Sequence, residues 1–284
     1  MPTQHALLSA SGAHRWLHCT GSPLLEKDFP DSTSVYAQEG TLAHELCELK
    51  LMAYTGEITK RKLTSMKNKL MKSELWQPEM EGTSEAYLDY VKDITMSYTV
   101  KPVILTEKRV DFSQYVPEGF GTADCLILAG DTLHVVDYKH GKGVVVDADH
   151  NPQMMLYALG AMSELSLLYR FKFVHMTIVQ PRVSNISEFT MTADELIEWG
   201  EKVVKPKAEA ATSGKGEFEA GDWCRFCRAK RQCKTRYESN GSLYPELSER
   251  HDPRLITLAE LGEYLKRGKD MAAWLEDMRE YALS

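Results

Sequence analysis

This chain should fold as an α/β protein, with a central mixed β-sheet flanked by helices. Three features point there. Between Pro102 and Lys139 stand three apolar stretches that alternate with period two, PVILTEKRVDF, GFGTADCLIL and TLHVVDYK. Runs with helical spacing come before them, and further helical and alternating stretches follow. That order suits one mixed sheet covered by helices. At 284 residues, with 43% hydrophobic and 26% charged residues, the chain is long enough to bury a sizeable core.

Taken in order, LSASGAHRWLHC opens with serines suited to capping a short helix that carries Trp16 and Leu17. EGTLAHELCELKLMAY, Glu39 to Tyr54, has helical spacing after a glycine, and Glu79 to Tyr98 reads as another helix. Glu107 ends the first strand; the second and third form a hairpin bent at Gly130-Asp131. Asn151 and Pro152 are the N-cap and first helical residue of HNPQMMLYALGAM. FKFVHMTIVQ is a strand with SEFTM as its neighbour, and TADE is a capping box whose helix runs to about Ala211. LAELGEYLKRGKDMAAWLEDMREYAL is an amphipathic helix or helix pair. We expect a domain over residues 1–236 and a helical extension, 237–284, packed upon it.

A net charge of −7 argues against a protein that coats nucleic acid by global attraction, but not against local basic patches. Thr59–Lys72 and Cys224–Arg236 each hold six basic residues and no acid. For the first, a solvated helix face is an equal reading. No apolar run approaches the roughly 20 residues of a membrane span. The opening MPTQHALLSASG has neither a basic nor a long apolar region of a secretion signal, so a cytoplasmic location is expected. HGKGV lacks the phosphate-loop pattern.

The chemistry gathers at the sheet. Asp137 and Lys139 project to one side of their strand, and Val136 and Tyr138 to the other. The hairpin brings Asp124 beside them. Two nearby carboxylates repel unless a cation sits between them, and Mg²⁺ or Mn²⁺ prefers oxygen ligands. A lysine beside such an ion offsets charge on a pentavalent phosphate. On its own, D-x-K on a strand is more often a structural ion pair. His44 and Glu48 share one helix face, as do Gln153 and Tyr157.

GTLAHELCE, Glu107, GTADC, VVDYK and QMMLY stand in the order seen in RecB-type nucleases of the PD-(D/E)xK superfamily, which this chain resembles over roughly Ser9 to Arg236. It is most similar to a phage-associated branch carrying NPQMMLYALGA and WCRFC segments. The resemblance implies a restriction-endonuclease-like core with Mg²⁺ or Mn²⁺ held by His44, Asp124, Asp137 and the Tyr138 carbonyl. Lys139 would be the catalytic lysine. Gln153 and Tyr157 would hold the DNA strand or the site's geometry, and Glu107 would support the metal. Ala123 stands where many relatives have proline, and Asp137 where many have glutamate. The implied activity is a DNA nuclease, an exonuclease working on DNA ends in phage recombination, with any helicase or recombinase on a separate chain. The rival expectations are a catalytically silent DNA-binding or recombination-partner module and a redox-sensing DNA binder.

Among six cysteines, Cys224, Cys227 and Cys233 form C-x₂-C-x₅-C, a spacing that points to metal in a cytosolic chain, with Cys19 the natural fourth ligand. Zinc and iron are not separated by spacing. The resemblance implies a 4Fe–4S cluster stapling the two ends of the domain. Cys47 and Cys125 read as core thiols. Arg225, Arg228, Lys230 and Arg231, with Lys234 and Arg236, are read as a phosphate-contacting surface. Trp16, Trp199 and Trp223 are read as packing residues.

Overall fold

The alternating stretches of the centre pair into a single sheet, and helical runs close over both its faces. In the computed structural model, which describes residues 6–30, 34–241 and 258–283, the elements run in this order. First come α1 (Ala13–His18), α2 (Ser22–Glu26), α3 (Val35–Thr55), α4 (Lys60–Leu70) and α5 (Glu79–Ser97). Then come β1 (Val103–Asp111), β2 (Phe120–Ala129), β3 (Thr132–Tyr138), α6 (Pro152–Leu165), β4 (Phe173–Gln180) and β5 (Asn185–Thr192). Last are α7 (Ala193–Trp199), α8 (Lys205–Thr212), α9 (Lys234–Gly241) and α10 (Leu258–Leu283). A π-helical turn, Gly200–Val204, joins α7 to α8.

The chain forms two compact units, one from the described residues of Met1–Ala13 and Thr33–Lys205, the other from those of His14–Ser32 and Pro206–Ser284. This differs from the expected division at 236/237. The reason is non-local, because a segment near the N-terminus, His14–Ser32, joins the C-terminal stretch in the second unit.

In the first unit the five strands lie in the order β1-β2-β3-β4-β5. Only β3 and β4 are parallel, and the crossover between them carries α6. The β2–β3 hairpin turns at Gly130, whose φ of +60° is a glycine conformation. Its ladder pairs Ala129 with Thr132 and Cys125 with Val136. One sheet face presents Cys125, Ile127, Val136 and Tyr138 to Leu46, Cys47 and Leu51 of α3 and Met80, Tyr87, Leu88 and Val91 of α5, all buried. By alternation Asp137 points to the opposite face, where α6 packs. Cys47 and Cys125 are core thiols, as expected.

Several local expectations hold. Asn151 caps α6, accepting from the Gln153 and Met154 N–H groups, and Thr192 and Glu195 form the capping box of α7. α3 begins earlier than expected. Ser34 caps it, accepting from the Ala37 N–H at 3.1 Å, so Gly40 lies inside the helix rather than before it. Glu107 does not end its strand but sits within β1.

His134, 8% exposed, lies under α5, sharing a 2.8 Å hydrogen bond with Tyr98 and facing the His175 ring at 5.2 Å. Burial first, then His175, pushes its pKa down to about 4, against the nearby Glu188 carboxylate. Below the unfolded value near 6.5 the unfolded chain takes a proton that the folded one refuses. Stability should therefore fall by about 2 kcal/mol between pH 7 and pH 5 on this account. Urea melts of the wild type and His134→Gln at the two pH values check this. The wild type should lose more, and equal losses would contradict the assignment.

The second unit joins His14–Ser32 to the C-terminal stretch. The Thr20 hydroxyl accepts from the Glu217 N–H at 2.8 Å, and the Gly21 N–H donates to the Glu217 carbonyl at 2.8 Å. Gly216 permits this approach, since a Cβ there would stand 2.3 Å from the Thr20 carbonyl oxygen. Glu26, 2% exposed, pairs with Arg15 at 3.0 Å and accepts from the Arg228 N–H at 2.7 Å. Trp16 is buried, and Tyr237 packs edge-on to Trp274 of α10. α10 is one helix, packed on α9.

Candidate functional site

The β2–β3 ladder ends at Cys125 and Val136, so Asp124 and Asp137 stand opposite each other just past it. The Tyr138 N–H donates instead to Asp124 Oδ2 at 2.8 Å, which fixes that carboxylate at the strand end. On the other side of β2, Thr106 pairs with Cys125 and Lys108 with Ala123, but Glu107, between them, is unpaired in the ladder. Its φ is +46°, a left-handed backbone that costs a non-glycine residue about 1–3 kcal/mol. From α3, His44 places Nδ1 3.3 Å from Asp124 Oδ2, with its ring edge-on to Tyr138. Ligand atoms of His44, Glu107 and Asp124 all lie within 4.8 Å of one another.

A second set of contacts adjoins the first. Lys139 Nζ is 2.9 Å from Asp137 Oδ2 and donates to Gln153 Oε1 at 3.0 Å. The Gln153 amide nitrogen donates to Asp137 Oδ1 at 3.4 Å and to the Tyr157 hydroxyl at 3.1 Å. The Asn151 cap sets Gln153 in the first turn of α6, and Tyr157 follows one turn on. Gly121 leaves room for the Tyr157 ring, whose Cε1 would lie 2.6 Å from a Cβ at that position.

The electrostatics describe a site crowded with negative charge. Burial would lower the His44 pKa, but Asp124 and Asp137 overcome it and raise the imidazole to about 9. Burial, Asp124 and Glu48 push the Glu107 carboxyl up to about 8. Burial works against ionising Asp124, yet His44, Lys139 and the Tyr138 N–H hold its carboxylate below the usual range. Burial disfavours the Lys139 ammonium too, but Asp137 and Asp124 keep it charged. Protons on His44 and Glu107 offset part of that negative charge. Asp137 Oδ2, buried, accepts no hydrogen bond in a bonding orientation although Lys139 stands beside it. An oxygen and imidazole donor set of this kind fits Mg²⁺ or Mn²⁺.

All seven residues expected at the sheet end, His44, Glu107, Asp124, Asp137, Lys139, Gln153 and Tyr157, therefore meet at one place. The division of labour differs in detail. Glu107, expected only in support, stands with His44 and Asp124, while Asp137 turns to Lys139 and Gln153. Tyr138 contributes its N–H to Asp124. No signal in the sequence marks the backbone twist that brings Glu107 in.

In the second unit, Cys19, Cys224, Cys227 and Cys233 line one cavity with Arg15, Trp223, Lys230 and Arg236. Burial raises the Cys224 thiol, and burial together with Glu26 pushes Cys227 up to about 12. Cys47 and Cys125 lie in the other unit, so the six cysteines do not form one group. The basic residues are less free than expected. Arg231 pairs with Glu280, and Lys230 with Asp277 at 3.3 Å. Arg236, read from sequence as phosphate-facing, is 1% exposed and bound to Asp270 and Asp277 at 3.1 and 2.7 Å. It braces α10, because carboxylates far along the chain reach it. Arg225 lies over the Phe226 ring at 5.7 Å. Trp223 stacks on His18 at 4.3 Å.

Among the described residues no helix is long and apolar enough to cross a membrane. Residues 5–284 match the family described as "Protein of unknown function (DUF2800)", and the chain belongs to that family. A solved structure titled "Crystal structure of SSO0001" is 13% identical, with 69% of this chain and 85% of that one covered at a TM-score of 0.33.

Proposed function

We propose that this DUF2800 protein is a divalent-metal-dependent deoxyribonuclease of the RecB type, an exonuclease that trims DNA ends in phage recombination. The observation that carries this reading is the meeting of His44, Glu107 and Asp124 ligand atoms beside the Asp137–Lys139–Gln153 cluster. A structural ion pair needs Asp137 and Lys139 alone. It gives no reason for a second and third carboxylate, one of them on a left-handed glutamate, and an imidazole at the same place.

His44, Glu107 and Asp124 would hold the ion, with Asp137 next to them. A divalent cation there supplies Lewis acidity toward a phosphoryl oxygen and makes water acidic enough to attack at neutral pH. The protein's own groups do the rest. Lys139 presents a fixed ammonium to the charge that develops on the phosphate. Gln153, bridging Lys139, Asp137 and Tyr157, holds the lysine in place while leaving its remaining protons for substrate. The Tyr138 N–H aims Asp124, which His44, then Lys139, then that N–H favour in its ionised form.

The second element of the proposal is a 4Fe–4S cluster on Cys19, Cys224, Cys227 and Cys233, which would staple both chain ends within the second unit. Its support is the single cavity that all four thiols line.

The test is digestion of end-labelled single- and double-stranded DNA by protein purified without oxygen, with Mn²⁺ or Mg²⁺ added. Metal-dependent loss of label supports the reading. DNA that stays intact while bound would favour a silent binding module.

A further inference from the structure

We propose that the exposed face of α4 is a docking surface for the phosphate backbone of DNA, an inference that rests on the nuclease reading above. Lys60, Arg61, Lys62 and Lys69 of α4, and Lys72 just after it, are exposed. No ion pair joins any of the five to a carboxylate among the described residues, and on α4 only Lys67 is paired, with Glu81 at 3.1 Å. Four exposed cations on the three turns of α4 and a fifth just after it, none ion-paired among the described residues, stand out in a chain of net charge −7. A solvated surface usually mixes both signs, because like charges one turn apart on a helix repel.

The rest of α4 says which polyanion suits it. Its apolar residues Leu63, Met66 and Leu70 pack against the α3 and α5 core. A helix that binds a lipid surface needs such a stripe free to enter the headgroup region. α4 has spent its stripe on folding and presents charge alone, which matches a phosphate backbone. Placement agrees. Lys50 of α3 and Lys67 of α4 both pair with Glu81, so α4 lies beside the part of α3 that leads back to His44. The six residues from Lys50 to His44 span about 9 Å of helix, the length of roughly three nucleotides. A strand engaged at His44 and continuing along α3 would thus come toward α4.

The experiment compares the full-length wild type with a variant carrying Lys60→Gln, Arg61→Gln, Lys62→Gln and Lys69→Gln. Binding to a labelled duplex with a single-stranded end is measured over a salt series in chelator, so that no cleavage occurs. None of the four residues belongs to the metal site or the core. The variant should bind at least tenfold more weakly at about 0.1 M salt, and the slope of log K against log salt should flatten by about 2 or more. An unchanged slope with normal wild-type binding would overturn this inference and leave the nuclease reading standing. A wild type that binds no DNA at any salt would overturn both. Anionic phospholipid vesicles bound by the wild type and lost in the variant, with DNA binding unchanged, would overturn it in favour of a membrane surface.

Discussion

Lys139→Ala should cut metal-dependent DNA cleavage by about 10²–10³-fold, the loss seen when one preorganised electrostatic group is removed from a reacting centre. The ammonium is held by Asp137 and Gln153 at 2.9 and 3.0 Å and has no other assigned task. Its removal leaves Asp137, 2% exposed, without its counter-charge, so the carboxylate will take up a proton or draw a cation. Two readouts then part company. Turnover should collapse, while Mn²⁺ binding should hold or tighten, because a competing positive charge has gone. A purely structural lysine would instead lower the melting temperature and leave the activity of the folded fraction unchanged. Full activity in the variant would refute the role.

Cys19→Ser and Cys227→Ser should each release iron, remove the brown colour and lower the melting temperature by about 10 °C. The magnitude follows from loop closure. A cluster linking Cys19 to Cys224 closes a loop of about 200 residues, worth on the order of 4–5 kcal/mol of unfolded-state entropy. For a chain of this size each kcal/mol moves the midpoint by about 2 °C. Cys47→Ala provides the contrast. It opens a cavity in the first unit's core and should destabilise while keeping the iron. Retention of iron in both serine variants would dismiss the staple, and zinc found in place of iron would assign the site to a tetrahedral metal.

Much of the site was legible because its parts follow short-range rules. Period two in HVVDYK predicts that Asp137 faces away from Val136 and Tyr138, and the structure agrees. The Gly130 turn sets the register that brings Asp124 opposite Asp137. The Asn151 cap and one helical turn put Gln153 and Tyr157 side by side. What escaped was non-local. The left-handed backbone at Glu107 arises where ladder pairing gives way between two neighbours, and a glutamate in a strand announces nothing of the kind. Arg236 reads as surface charge until Asp270 and Asp277, 34 and 41 residues later, arrive to bury it. The joining of α1 and α2 with the C-terminal segment depends on contacts such as Thr20 with Glu217, 197 residues apart.

Calorimetric titration of Mn²⁺ into the intact protein and into Asp124→Asn tests the central claim most directly. One ion per chain should bind the wild type, and none should bind the variant at the same concentrations, with both proteins folded. Absence of binding to the wild type, or equal binding to both, would contradict a metal centre at His44, Glu107 and Asp124.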